Sequence, residues 1–85
     1  MYKDSNNYTA MAQALLDGLG GAQNILSATY CITRLRVTVR DPLLVDQEKI
    51  VSSGVAGVLR PSKTTVQVII GATVPFVAGE FKKLI

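Results

Sequence analysis

The spacing of apolar residues predicts an α+β two-layer sandwich. The expected sheet is four-stranded and mainly antiparallel, with three helices on one face, in the chain order α-β-β-α-β-β-α. Three observations carry this. Tyr8, Met11, Ala12, Leu15, Leu16 and Leu19 recur at helical spacing. Leu35, Val37 and Val39 alternate with Arg34, Arg36, Thr38 and Arg40, a period of two that makes a strand with one dry and one wet face. The links are short, which favours antiparallel hairpins, and a sheet with one apolar face needs helices on that face and water on the other.

The elements follow in order. Residues 1–7 are polar and are expected to form a flexible N-terminal segment, leaving 8–85 as the folded domain. Asn7 is the expected cap of a helix over residues 8–19, which Gly18, Gly20 and Gly21 stop. Residues 24–30 form a first strand. Residues 32–40 form a second, which Asp41-Pro42 breaks because proline cannot donate to a ladder. Asp46 caps a short helix over 46–53, with Asp46 and Glu48 at the positive end of its dipole. Gly54 ends it. Strands at 55–59 and 65–70 flank a turn at 60–64. Thr73 caps a last helix from 74 to 84, where Pro75 falls in the tolerant first turn and Lys82 and Lys83 lie at the negative end.

Composition narrows the chemistry. With 85 residues the chain makes one small domain, so any site is shallow or shared with a partner. It has one Cys and no His, which excludes an intrachain disulfide, a His-ligated metal and any Cys–His or Ser–His pair within the chain. No cofactor and no metal is expected. Asp41, Asp46 and Glu48 read as helix caps rather than cation ligands. Residues 1–8 do not form a signal peptide, and no apolar run reaches the roughly 20 residues needed to cross a bilayer. The net charge of +3 is spread along the chain, unlike the concentrated basic surface of a nucleic-acid binder.

Only Arg34, Arg36 and Arg40 crowd together, beside Cys31-Ile32-Thr33. Parity puts Arg34 and Arg36 on the wet face of their strand. Cys31 falls at the junction of two strands, on a predicted hairpin turn. Nearby guanidiniums favour a thiolate, and free turn amides at Ile32 and Thr33, with the Thr33 hydroxyl, suit phosphoryl oxygens. Tyr30 and Arg40 are candidate rim residues. A second reading stands beside this one. A lone Cys is commonly a small buried hydrophobe, and alternating Arg is commonly a solvated strand face. Two features weigh against it: the turn position of Cys31, and the lack of any acidic residue from Asn24 to Arg40 to pair with the arginines. A Cys-x5-Arg phosphatase loop is excluded, because Val37 stands where the arginine is required. The glycines of residues 54–58 read as backbone turns.

The string Cys31-Ile32-Thr33-Arg34-Leu35-Arg36 resembles the enzyme IIB domain of the phosphoenolpyruvate-dependent sugar phosphotransferase system, glucose–sucrose branch. Residues 16–25 (LDGLGGAQNI), 54–58 (GVAGV) and 66–71 (VQVIIG) resemble its other signatures, so the similarity covers nearly the whole chain. It implies a phosphotransferase whose Cys, matched by Cys31, takes a phosphoryl group from a phosphohistidine on a IIA domain. The group then passes to a sugar bound by a membrane-embedded IIC domain. Arg34 and Arg36 match the family arginines, expected to act mainly in transfer to sugar, and Thr33 matches the motif threonine. The resemblance implies a cytoplasmic domain held at the inner face of the cell membrane through IIC. Nucleic acid is not an expected partner, and the isolated domain is expected to be a monomer. Tyr30 departs from the His that often precedes the Cys, and residues 60–65 replace a short glycine-rich turn. The alternative function is a non-catalytic or regulatory α+β module that binds an anion, RNA or a protein on its basic sheet face.

Overall fold

The computed structural model describes residues 2–85, with side chains from Tyr8 onward. Its order is α1 (Tyr2–Gly18), β1 (Ile25–Tyr30), β2 (Arg34–Val39), α2 (Gln47–Ser52), β3 (Gly57–Leu59), β4 (Thr65–Ile69) and α3 (Val74–Lys83). Short 3-10 turns at Ala22–Asn24 and Pro42–Leu44 precede β1 and α2. The four strands form one sheet in the order β1-β2-β4-β3, and every neighbouring pair is antiparallel. The predicted α+β sandwich is the observed fold.

The alternation along β2 fixes the two faces. Leu35, Val37 and Val39 are fully buried, as are Val66 and Val68 of β4. With Ala12, Leu15, Leu19, Ile50, Val74, Val77 and Phe81 from the helices they make one core. α3 lies across β1 and β2, α2 meets β3, and α1 packs on both other helices. The opposite face of the sheet carries Arg34, Arg36 and Gln67 and has no helix over it. Phe81 is the largest fully buried side chain. Truncating such a residue costs about 3–5 kcal/mol, so this layer anchors the sheet that presents the open face.

Several element ends differ from the expectations. α1 begins at Tyr2, so Asn7 lies inside the helix and does not cap it. The expected flexibility of residues 1–7 stays an expectation, since Met1 and the side chains of residues 2–7 lie outside the described residues. Asn24 closes a 3-10 turn instead of opening the first strand, because its side chain is committed elsewhere. Asp46 does cap α2, accepting from the Lys49 amide at 3.2 Å. Thr73 stands at the head of α3 but makes no side-chain cap bond.

Candidate phosphoryl-transfer site

The site is built at the β1–β2 hairpin. Tyr30 pairs with Leu35, whose side chain is in the core. The pairing continues one step further, because the Cys31 amide donates to the Arg34 carbonyl at 2.9 Å. Successive pairs alternate faces, so the pleat carries Cys31 and Arg34 to the open face. Arg36 follows on that face, opposite Thr29 on one side and Gln67 on the other. The thiol is exposed and free.

Residues 31–33 bridge the two strands, and Ile32 is 88% exposed. The loop is clamped from behind. The Thr33 carbonyl accepts from the amides of Ile70 and Gly71 at 2.8 and 2.9 Å. Gly71 makes this second bond at a φ of 107°, a conformation that glycine enters without strain. Among the described residues, the amides of Ile32 and Thr33 have no partner. They are donors left open beside an exposed thiol. α3 starts three residues after Gly71, whose amide holds the Thr33 carbonyl.

The two arginines differ. Arg34 is half-buried, and its Nη1 donates to Gln67 Oε1 at 2.9 Å. This bond runs diagonally across the sheet, since Arg34 stands opposite Ile69 and Gln67 stands opposite Arg36. The Arg36 side chain is exposed and, among the described residues, has no hydrogen-bond or ion-pair partner. Among the described residues, neither guanidinium is paired with a carboxylate.

The hairpin thus places Cys31, Ile32 and Thr33 in the loop that runs into Arg34, with Arg36 two residues further along the open face. It does not bring in the two candidate rim residues. Tyr30 shares the helix-side face with Leu35, away from the arginines, and is 47% exposed at the sheet edge. Arg40 has the right parity but lies beyond the far end of β2, about 20 Å from Arg34 by strand rise. Its Nε approaches the Gln23 carbonyl at 3.4 Å. Gln67 and Thr29 were missed by the sequence reading. The signal for Gln67 was present, because it interrupts the valines of β4 with a polar side chain of open-face parity. Among the described residues, no group of three or more Cys, Asp or Glu is placed to hold a metal ion, and no helix is long and apolar enough to cross a membrane.

Comparisons with known proteins agree with this arrangement. The family model for phosphotransferase system EIIB matches residues 13–46. The N-acetylglucosamine-specific EIICB component of Bacillus subtilis is 44% identical over 68 residues, which is 80% of this chain but 15% of that protein. Across the first such relatives, the chain spans between 12% and 15% of their length. The solved structure of one domain of the PTS system IIabc component from Clostridium difficile superposes with a TM-score of 0.85 at 35% identity, covering 94% of this chain and 84% of that one. The N-acetylglucosamine-specific EIIB component of Streptomyces coelicolor is 38% identical over 73 residues, 86% of this chain and 94% of that protein. Agreement over almost the whole of a protein named for EIIB alone settles the family, and this chain belongs to the EIIB domains of the phosphotransferase system.

Proposed function

We propose that Cys31 is the phosphoryl carrier of this EIIB domain, taking a phosphoryl group from a phosphohistidine on a IIA domain and passing it to a sugar held by a membrane IIC domain. One observation carries the reading: an exposed thiol in the hairpin loop that runs into a strand whose open face carries two arginines, neither paired with a carboxylate among the described residues. The names of relatives that join EIIB with EIIC or EIIA support these partners. They also support association with a membrane component, and the working position read here is the cytoplasmic face of the membrane.

In the first step the Cys31 thiolate attacks phosphorus. The S–P bond forms as the P–N bond breaks, and its electron pair returns to the donor imidazole. The attacking and leaving atoms lie in line, so positioning and charge stabilisation carry the catalysis. The Ile32 and Thr33 amides and the two guanidiniums supply donors for the three phosphoryl oxygens. In the second step a sugar hydroxyl oxygen attacks phosphorus and the S–P bond breaks, leaving the thiolate. The hydroxyl proton goes to a base on the acceptor side, because this chain has no His and residues 31–40 contain no carboxylate. An exposed site suits a group exchanged between two partners. The RNA-binding alternative is not favoured: Thr29, Arg34, Arg36, Leu59, Gln67 and Ile69 give the open face no aromatic for base stacking.

The test is intact-mass measurement after mixing the chain with phosphoenolpyruvate, the two general phosphotransferase proteins and a panel of IIA domains. The expected result is the gain of one phosphoryl group, absent in Cys31→Ser. A folded wild-type chain that gains nothing from any donor would overturn the reading.

A further inference from the structure

We propose that Gln67 is a positioning residue for phosphoryl transfer: its side-chain oxygen holds the Arg34 guanidinium in one orientation beside Cys31 and leaves Arg36 free for the partner. This rests on Cys31 being the carrier. The register makes the arrangement informative. Gln67 stands directly opposite Arg36, yet its Oε1 accepts from Arg34 Nη1, on the diagonal, at 2.9 Å. The backbone beneath it is rigid, since Val66 and Val68 on either side are fully buried. Arg34 and Gln67 are both half-buried, whereas Arg36 is exposed. The open face therefore holds one hydrogen-bonded cation at the start of β2 and one exposed cation two residues further on.

The chemistry of the acceptor matters. A guanidinium has five N–H donors, and one bond to Gln67 leaves four for phosphoryl oxygens. A neutral amide oxygen fixes the fork without cancelling its charge. A carboxylate at the same place would fix it and also lower the positive potential that a dianionic phosphoryl group meets. Pre-orientation removes rotamer freedom that Arg34 would otherwise lose in the transition state. Gln67 itself touches neither sulfur nor phosphorus in this account. It acts through Arg34.

The experiment compares wild type with Gln67→Met, which keeps the side-chain volume and removes the acceptor. Single-turnover transfer is measured for both steps, from a phosphorylated IIA domain to Cys31 across donor concentrations and from phosphorylated Cys31 to sugar on membranes holding a IIC domain, and rotation of the Arg34 guanidinium is followed by NMR. In Gln67→Met the maximal rate is expected to fall about tenfold, the scale of one lost charged hydrogen bond. Half-saturation by the donor should stay within about twofold of wild type, because the donor contacts are kept. The guanidinium of Arg34 should rotate slowly in wild type and freely in the variant. A wild-type rate in Gln67→Met, or unchanged Arg34 rotation, overturns the proposal. So does a change confined to half-saturation, which would make Gln67 a donor contact. If wild-type Cys31 itself gains no phosphoryl group, the carrier reading falls first, and that outcome is seen before any variant is made.

Discussion

The two ends of β2 are chemically opposite. At the Arg34 end, the hairpin leaves the Ile32 and Thr33 amides open, exposes a thiol and leaves Arg36 unpaired. At the Val39 end, Asn24 is 3% exposed and saturates its surroundings. Its Nδ2 donates to the carbonyls of Leu19 and Asp41 at 2.7 and 3.0 Å, and its Oδ1 accepts from the Asp41 amide at 2.7 Å. Its own carbonyl accepts from the Arg40 amide at 2.8 Å. One residue thereby ties the end of α1, the start of β1 and the exit of β2. Polar groups that find every partner within the fold hold it together. Polar groups left without partners on a clamped loop are free for a ligand.

The largest effect expected from breaking this contrast is at the thiol. Cys31→Ala should abolish phosphoryl acceptance, read by intact mass, while leaving the thermal midpoint close to wild type, because the side chain is exposed. The mirror experiment is Asn24→Ala. It strands two carbonyls and an amide at a buried site and should cost about 2–4 kcal/mol, measured by denaturant unfolding. Below its lowered midpoint the variant should still accept a phosphoryl group. Loss of acceptance in a folded Asn24→Ala chain would show that the two ends are not independent.

Arg36 and Arg40 give a sharper comparison, since they share a strand face but stand four residues apart, Arg40 beyond the far end of β2. Arg36→Ala should slow onward transfer to sugar about 10- to 100-fold, the range for removing a charged donor from a reacting group. Acceptance from IIA should fall less. Arg40→Ala should leave both steps unchanged. Equal losses from the two substitutions would mean that bulk positive charge, not placement, is what matters. At the saturated end, Gly20→Ala should cost about 1–3 kcal/mol by unfolding. Gly20 has a φ of 100°, and an added Cβ would come within 2.8 Å of both the Asn24 amide nitrogen and Leu44 Cβ.

The sequence disclosed these two ends unequally. Alternation around Leu35 and Val37 was enough to face Arg34 and Arg36 toward water, because a period of two admits no other placement when one face is buried. Cys31 was legible on a turn because it falls at the junction of two strand patterns. Arg40 shows the limit of parity, which assigns a face but says nothing of distance along the strand. Asn24 was misplaced because a polar residue before Ile25 and Leu26 looks like a strand opening. Its partners Leu19 and Asp41 are set by tertiary contact, which no local pattern encodes. The bulge between Ile25 and Ser27 was hidden likewise. Gln67 had visible parity, but its diagonal bond to Arg34 depends on the register between β2 and β4.

The smallest expected effect lies away from both ends, on the surface of α3, and it probes whether an exposed contact matters at all. The Glu80 carboxylate accepts from Lys83 Nζ at 3.1 Å and from the Thr9 hydroxyl at 2.9 Å, joining α3 to α1. These bonds, that to Lys83 first, hold its pKa below the ordinary Glu range. A carboxyl depressed on folding stabilises the fold above its unfolded pKa, about 4.3 for Glu. That contribution fades as pH falls through the lower folded value. Glu80→Gln should therefore lower the thermal midpoint slightly at neutral pH, and the gap to wild type should close in acid. Lys83 is 72% exposed, so solvent and salt screen the pair and the gap at neutral pH should shrink as salt is added. A gap that persists in acid would instead assign the effect to the amide's altered bonding with Thr9 rather than to charge. Phosphoryl acceptance at Cys31 should follow neither pH nor salt through this residue, because Glu80 belongs to the helix layer and the thiol to the open face.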